Sequence, residues 1–245
     1  MRQNPVLYIP IATTFIALIF AWIVFQRYRQ KGKGAHLLWW AAGIFIYGVG
    51  TFTEGFVTLF GWTETVFRAW YISGALLGGV PLAQGTVYLL MRRATANRLT
   101  LILVPFIVIA AGLVLLTPLD YALVEPHRLS GKIIAWHSVR FFSPFINTYA
   151  FIFLVGGAIL SAYRFHKSRQ TYHRFIGNIF IAVGAILPGI GGTFTRFGYT
   201  EVLYVTELVG IVLIYVGYRY NVREKIPNGG APAIIGKDEV AMKID

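Results

Sequence analysis

Cysteine is absent from this chain of 245 residues. The chain therefore cannot form a disulfide, supply a thiol nucleophile or hold a metal ion through thiolates, which excludes several classes of enzyme and metal site. Charged residues are also scarce at 13%, whereas hydrophobic residues make up 56%. This composition is too apolar for a soluble domain of this size, and it predicts a membrane protein with several spans.

Acidic residues are the scarcer charge type: 10 aspartates and glutamates stand against 22 lysines and arginines, for a formal net charge of +12. The basic residues flank apolar segments instead of forming one continuous face. They are therefore interpreted as topology signals and as contacts with anionic lipids at the inner face of the bilayer. No nucleic-acid partner is expected, although this net charge would favour one in a soluble protein.

Long apolar runs dominate the chain. Each is long enough to cross a hydrocarbon core of about 30 Å as a helix, which takes about 20 residues. The runs cover residues 6–25, 37–60, 66–91, 99–116, 137–163, 175–193 and 202–218. The predicted fold class is therefore an all-α membrane protein, a seven-transmembrane helical bundle over residues 1–220, with a short flexible cytoplasmic tail at residues 221–245.

Lysine and arginine gather at alternate connections between the predicted helices, which by the positive-inside rule predicts the N-terminus outside and the C-terminus inside. The basic residues left outside are Arg2, Arg68, Arg128, Lys132, Arg140 and Arg196. The short loops favour the plasma membrane of a bacterium or archaeon.

The chain contains an internal echo. Residues 44–46 return as residues 179–181, and the break at residues 60–64 returns as residues 197–201. One interpretation is a 3+1+3 parallel repeat, in which helices 1 to 3 correspond to helices 5 to 7. The other is shared composition at similar depths, and the sequence leaves both open.

Two acidic residues fall inside the apolar runs, Glu54 in helix 2 and Glu207 in helix 7, each about two turns from the outer end. A charge in the hydrocarbon core costs several kcal/mol, so both should face protein or water. With basic and aromatic residues at similar depth they predict an outer ligand pocket. Its residues are Glu54, Arg68, Trp70, Arg140, Arg196, Tyr204 and Glu207. The structural alternative is that arginines pair with the glutamates and close the outer end, while the aromatic residues form the interfacial belt.

Other polar and small residues have plainer interpretations. Gln84 and Asn147 are expected to be interhelical hydrogen-bond partners. Glycine and proline at residues 74–81 and 188–192 predict either a close helix pair or a hinge. The histidines do not share a helix face, and no phosphate-binding loop or catalytic set occurs, so no metal, cofactor or catalytic residue is expected.

Two stretches resemble the microbial rhodopsins: residues 68–71 followed by Pro81 and Leu82, and residues 205–210. That family's retinal lysine would fall at Leu208, and no predicted span contains a lysine, so covalent retinal is excluded. The opening of helix 3 at residues 67–71 is also similar to the seven-helix sensory regions that precede bacterial histidine kinases. The sugar-transporting SWEET family shares a three-plus-one-plus-three plan, but its Pro-Gln signature is missing here.

The resemblance to the seven-helix sensory regions of histidine kinases implies a non-enzymatic seven-helix sensor or accessory module with an outer-leaflet pocket. The alternative is a small-solute membrane transporter built from two three-helix halves. The expected partners are the lipid bilayer, anionic lipids at the inner face, a small-molecule ligand and a separate signalling or complex partner.

Overall fold

The structure, a computed structural model, describes residues 5–32, 34–166, 172–195 and 197–222. These residues are almost entirely helical and contain no β-strand, which confirms the all-α prediction. Seven of the helices are long and apolar enough to cross a membrane. They are α1 (Pro5–Lys31), α2 (Ala35–Phe60), α3 (Glu64–Leu90), α4 (Arg93–Leu116), α5 (His137–Phe165), α6 (Tyr172–Thr195) and α7 (Thr200–Val222). The predicted tail lies outside the described residues from position 223 onward.

Several helices continue beyond the apolar runs into basic sequence. α1 extends to Lys31, and α4 begins at Arg93 rather than near residue 99. The backbone keeps its hydrogen bonds in the headgroup region, where long basic side chains reach water. α1 then ends at Gly32, whose positive φ of 59° suits glycine and whose N–H donates to the Tyr28 carbonyl at 3.1 Å.

Helices α1, α2, α3, α5, α6 and α7 pack in that order, and α7 returns to α1. α4 lies outside this circuit against α3 and the start of α5. Only 17% of the most apolar window of α4 is buried, compared with 56% for α2. The fourth helix is therefore the most peripheral of the seven, although Leu103, Ala110 and Val114 on its inner side belong to the main core.

The two ends of the bundle differ in charge. The α2–α3, α4–α5 and α6–α7 connections lie at one end, called the loop end, and the remaining connections lie at the basic end, where α7 also finishes. Every acidic residue that the structure describes lies in the loop-end half: Glu54, Glu64, Asp120, Glu125, Glu201 and Glu207. The basic residues at the opposite end are Arg27, Arg29, Lys31, Arg92, Arg93, Arg98, Arg164, Arg174 and Arg219.

Glycine residues bring α6 and α7 into unusually close contact. A Cβ added at Gly177 would lie 2.8 Å from the Gly217 carbonyl oxygen, and one at Gly184 would lie 2.6 Å from the Gly210 oxygen. A third contact has the same antiparallel register, because a Cβ at Gly191 would lie 2.7 Å from the Leu203 Cα. Small residues allow this approach in a membrane, where helices associate by close packing rather than by exclusion of water.

The predicted hinge segments behave differently. α3 widens into a π-helical segment at Tyr71–Leu76 and is interrupted at residues 77–79. The Ala75 carbonyl, at this irregular segment, accepts from Ser143 Oγ at 2.9 Å and Asn147 Nδ2 at 3.0 Å on α5. α6, in contrast, remains helical through Pro188.

The structure confirms both predicted interhelical partners. Asn147 joins α5 to α3 through the Ala75 carbonyl. The fully buried Gln84 of α3 donates to Thr100 Oγ1 on α4 at 2.7 Å and accepts from the Tyr149 hydroxyl on α5 at 2.5 Å. Gln84 therefore fixes the peripheral helix α4 to the core.

Candidate functional site

Glu54 lies on the buried face of α2 and is 2% exposed. The neighbouring threonines do not engage its carboxyl group. Thr51 and Thr58 donate to the carbonyl groups of Gly48 and Glu54 in their own helix, at 3.2 and 3.1 Å. The Glu54 carboxyl group must therefore find partners on other helices.

The second intramembrane glutamate, Glu207, faces Glu54. The two side chains lie close enough across the space between α2 and α7 for their carboxyl groups to interact. The Oε2 atom of each is buried and has no hydrogen-bond partner among the described residues. We call this contact the carboxyl pair.

The chemistry of the carboxyl pair requires a proton. An ionised carboxylate only accepts hydrogen bonds, whereas a protonated carboxyl group also donates one. Two ionised groups in contact would place like charges together away from water. A hydrogen bond between Glu54 and Glu207 therefore requires a proton on at least one of them.

Three aromatic side chains surround the carboxyl pair. Trp70 Nε1 donates to Glu54 Oε1 at 3.0 Å, and the Tyr47 hydroxyl donates to the Glu207 backbone carbonyl at 2.9 Å. Tyr204 is 2% exposed and lies close enough to interact electrostatically with both carboxyl groups. The site thus combines residues of α2, α3 and α7.

The predicted arginine Arg68 pairs with neither intramembrane glutamate. Arg68 donates to Glu64 Oε1 at 2.8 Å from its terminal nitrogen, and it also donates to the carbonyl groups of Val114 and Thr117 at the end of α4. A basic side chain is well placed there, because the last carbonyl groups of a helix lack partners. Arg140 forms no ion pair or hydrogen bond within the described ranges, and Arg196 lies outside them.

The structure therefore brings together four of the predicted site residues: Glu54, Trp70, Tyr204 and Glu207. Both predicted alternatives placed arginines near the glutamates, as pocket residues in one and as ion-pair partners in the other, whereas the structure places the glutamates next to each other. The physical reason is the competition for Arg68, which has a carboxylate one turn away on its own helix and the open carbonyl end of α4 beside it.

The connection between α4 and α5, residues 117–136, folds over the loop end. The backbone N–H of Trp62 donates to the Pro126 carbonyl at 2.8 Å, and Arg128 Nε donates to Thr200 Oγ1 at 2.8 Å. Within the connection, Ile133 and Ile134 are 0% and 1% exposed and belong to the main core. This covering loop ties together the ends of α2, α3 and α7, which carry the site.

Sequence reasoning missed two parts of the site, and both have a recognisable signal. Tyr47 precedes Glu54 by two helical turns and so shares its face. The glycines that hold α7 against α6 recur every seven residues, at 177, 184 and 191 and again at 210 and 217. Glu207 lies one turn before Gly210, so this packing fixes its depth and direction.

No group of three metal-ligating side chains occurs within the described part of the chain. Two carboxyl groups that face each other can bind, share and release a proton. Comparison of the chain with protein-family models, curated proteins and solved structures gives no match.

Proposed function

We propose that the chain is a non-enzymatic seven-helix integral membrane sensor module whose sensing element is the carboxyl pair. The observation that supports this function is the buried contact between Glu54 and Glu207, which is chemically complete only while it holds a proton. The signal is protonation, and the response is a change in how α2 and α7 meet. Output passes to a separate membrane or cytoplasmic partner.

The two helices of the carboxyl pair belong to separate hairpins. α2 is joined to α1 by the Thr14–Thr51 hydroxyl contact at 2.9 Å, and a Cβ at Gly48 would lie 3.3 Å from the Ala17 Cβ. α7 is joined to α6 by the glycine contacts. Loss of the shared proton would set two negative charges against each other, and each hairpin would move as a unit because its internal packing is close.

Few other ionisable groups face the carboxyl pair. Tyr47 and Tyr204 are next to it, whereas Arg128 and Glu201 act on Tyr204 from the loop end. α1 faces α2 here with threonine, and α3 contributes the non-ionising Trp70. A response to pH is therefore assigned to the glutamates themselves.

The experiment exploits the absence of cysteine. Phe60→Cys and Phe197→Cys place spin labels at exposed positions next to α2 and α7, since the native side chains are 72% and 74% exposed. Distances would be measured by pulsed electron resonance in lipid nanodiscs across a pH series. We expect the labels to separate as pH rises and the carboxyl pair loses its proton, and to return when pH falls.

The matched variants are Glu207→Gln and Glu201→Gln. The amide of Glu207→Gln donates to the Glu54 carboxylate without a titrating proton, so the short distance should persist at every pH. Glu201→Gln removes the same charge from the start of the same helix and should leave the response intact. A distance that is independent of pH in the parent chain, or a response unchanged by Glu207→Gln, would contradict the proposal.

The orientation forms part of the proposal: the loop end faces outward and the basic end faces the cytoplasm. The charge difference between the ends supports it. Reporter fusions after Lys33, Arg98, Arg169 and Arg223 should be cytoplasmic, and a fusion near Glu125 should be external. An external signal at any of the four basic sites would overturn this topology.

A second candidate function is proton-coupled transport of a small solute. It is favoured by the interruption of α3 at residues 77–79, since discontinuous helices often carry transporter sites. The peripheral place of α4 supports the 3+1+3 repeat proposed with it. Solute uptake into proteoliposomes driven by a pH gradient, and lost in Glu54→Gln, would select the transporter. A pH-driven distance change without such uptake would select the sensor.

A further inference from the structure

A groove lies between α1 and α7 at the basic end, far from the carboxyl pair. Its volume is about 520 Å³, and its polar lining consists of Gln26, Arg27, Gln30 and Arg219 together with Trp22 and Tyr218. A smaller groove of about 230 Å³ lies on the other side of Arg219. The basic end is thus indented where two helices finish, and an arginine stands on each side of the larger groove.

Aromatic contacts hold both arginines at the groove. The Arg27 guanidinium lies 6.0 Å from the centre of the Tyr218 ring, and that of Arg219 lies 6.0 Å from the centre of the Tyr215 ring. Arg219 also donates to the Tyr215 hydroxyl at 3.2 Å. These contacts restrict two long side chains without neutralising their charge.

Neither arginine has an acidic partner among the described residues. The ion pairs found there are Arg68–Glu64 and Arg128–Glu125, both at the loop end. A guanidinium offers several N–H donors suited to phosphate oxygens, and the two glutamines add uncharged donors. The groove therefore presents positioned donors and uncompensated positive charge to an anion with several oxygen atoms.

The apolar side of the groove indicates where the anion comes from. Trp22 lines it and is 58% exposed, although it lies within a helix that crosses the membrane. Five residues separate Trp22 from Arg27, so the ring lies about 7 Å deeper along α1. Arginine at the surface with an exposed aromatic ring below matches the order of headgroup and acyl chain in a lipid.

We propose that this groove binds the phosphate headgroup of an anionic phospholipid, with the guanidinium groups of Arg27 and Arg219 on the phosphate and an acyl chain beside Trp22. The site is independent of the proton-sensing function, because it shares no residue with the carboxyl pair. It makes the packing of α1 against α7 at this end depend on lipid composition.

The test measures lipid preference at the groove. The full chain is reconstituted with brominated phosphatidylglycerol or brominated phosphatidylcholine, and quenching of tryptophan fluorescence is measured. The contribution of Trp22 is the quenching in the parent chain minus that in Trp22→Phe. We expect about a tenfold preference for phosphatidylglycerol, since basic residues near a membrane surface each contribute appreciably to binding anionic lipid. Arg27→Gln combined with Arg219→Gln should reduce the preference to about unity.

The control is Arg92→Gln combined with Arg93→Gln, which removes the same charge from the same end away from the groove. An equal loss in this control would show a diffuse surface effect and overturn the site. Inorganic phosphate that abolished the preference more strongly than chloride at equal ionic strength would assign the groove to a soluble anion. A preference that emerged only after neutralising Glu224, Asp238, Glu239 and Asp245 would assign it to the chain's own tail.

Discussion

The loop end and the basic end handle charge in opposite ways. At the loop end, Glu64 and Glu125 pair with arginines, and Glu54 and Glu207 contact each other. At the basic end, arginines such as Arg27 and Arg219 rest against aromatic rings and face no described carboxylate. One end thus provides its own counter-charges, whereas the other presents charge to its surroundings.

Because of this difference, the two ends should respond to different changes in conditions. Contacts within the loop end respond to changes inside the protein, above all to proton occupancy of the carboxyl pair. Exposed basic side chains at the opposite end respond to salt and to lipid headgroups, because they have no acidic partner among the described residues. Variants that disturb one end and spare the other therefore test whether the two are energetically separate.

The largest expected effect comes from Gly184→Leu, which places a side chain where a Cβ alone would lie 2.6 Å from a backbone oxygen of α7. Backbone cannot yield as a flexible side chain does, so we expect a loss of about 3 kcal/mol or more, or failure to fold. Thermal unfolding in detergent measures it. Gly189→Leu on the same helix meets open space and should unfold near the parent temperature. Equal losses in both would refute the close α6–α7 packing.

The next effect concerns one partner of the carboxyl pair. Glu54→Leu removes the carboxyl group that faces Glu207 and the acceptor of the Trp70 N–H, and an unsatisfied buried polar group costs about 1–3 kcal/mol. Glu54→Gln keeps a donor and should cost less. Changing both glutamates to leucine should recover part of the loss, because no isolated carboxyl group remains, although Trp70 Nε1 still lacks its acceptor. If the double variant lost as much stability relative to the parent chain as the two single leucine variants added together, the two side chains would not interact.

A smaller effect is expected at the covering loop. Arg128→Gln removes the bonds that tie this loop to Thr200 and to the Gly198 carbonyl, and hydrogen bonds to charged groups are worth about 1.5–3 kcal/mol before solvent exposure reduces them. Amide hydrogen exchange at Ile133 and Ile134 should accelerate locally. Lys132→Gln is the control, because the Lys132 side chain makes no hydrogen bond within the described ranges. Faster exchange in both variants would assign the effect to general charge loss.

The sequence predicted the helices well because hydrophobic runs of membrane length have few alternatives. The described residues contain seven helices long and apolar enough to cross a membrane, and their ends differ from the predicted ones mainly where α1 and α4 continue into basic residues. The internal repeat stays a prediction. Ile44 is 1% exposed, whereas Ile179, the corresponding residue in the suggested repeat, is 39% exposed. Identical residues at corresponding positions therefore have different surroundings.

The candidate site was only partly predictable. The cost of burying a carboxyl group singles out Glu54 and Glu207 from the sequence, and their equal depth places them at one level. Their contact with each other depends on which helices are neighbours, and that follows from the glycine register of α6 and α7 and from the return of α7 to α1. Arg68 was misleading because helix-end carbonyl groups compete for it, and a sequence does not show where another helix ends.

The smallest expected effect concerns a hydrogen bond between Tyr121 and Glu64 at the surface of the loop end. The Tyr121 hydroxyl donates to Glu64 Oε2 at 2.6 Å, and this hydrogen bond raises the pKa of Tyr121 above its usual value. A raised pKa in the folded state means that the contact stabilises the loop end fully below the ordinary tyrosine pKa of about 10, and that this contribution is lost as pH rises further. Ultraviolet difference titration of the parent chain against Tyr121→Phe isolates this phenol. We expect it to ionise later than free tyrosine, and earlier once Glu64→Gln removes the charged acceptor. Glu125→Gln is the control, because it removes a carboxylate from the same end without contacting Tyr121, and the pH at which Tyr121 ionises should not change. A shift equal to that of Glu64→Gln would show that the general charge at this end, and not the single hydrogen bond, holds the proton.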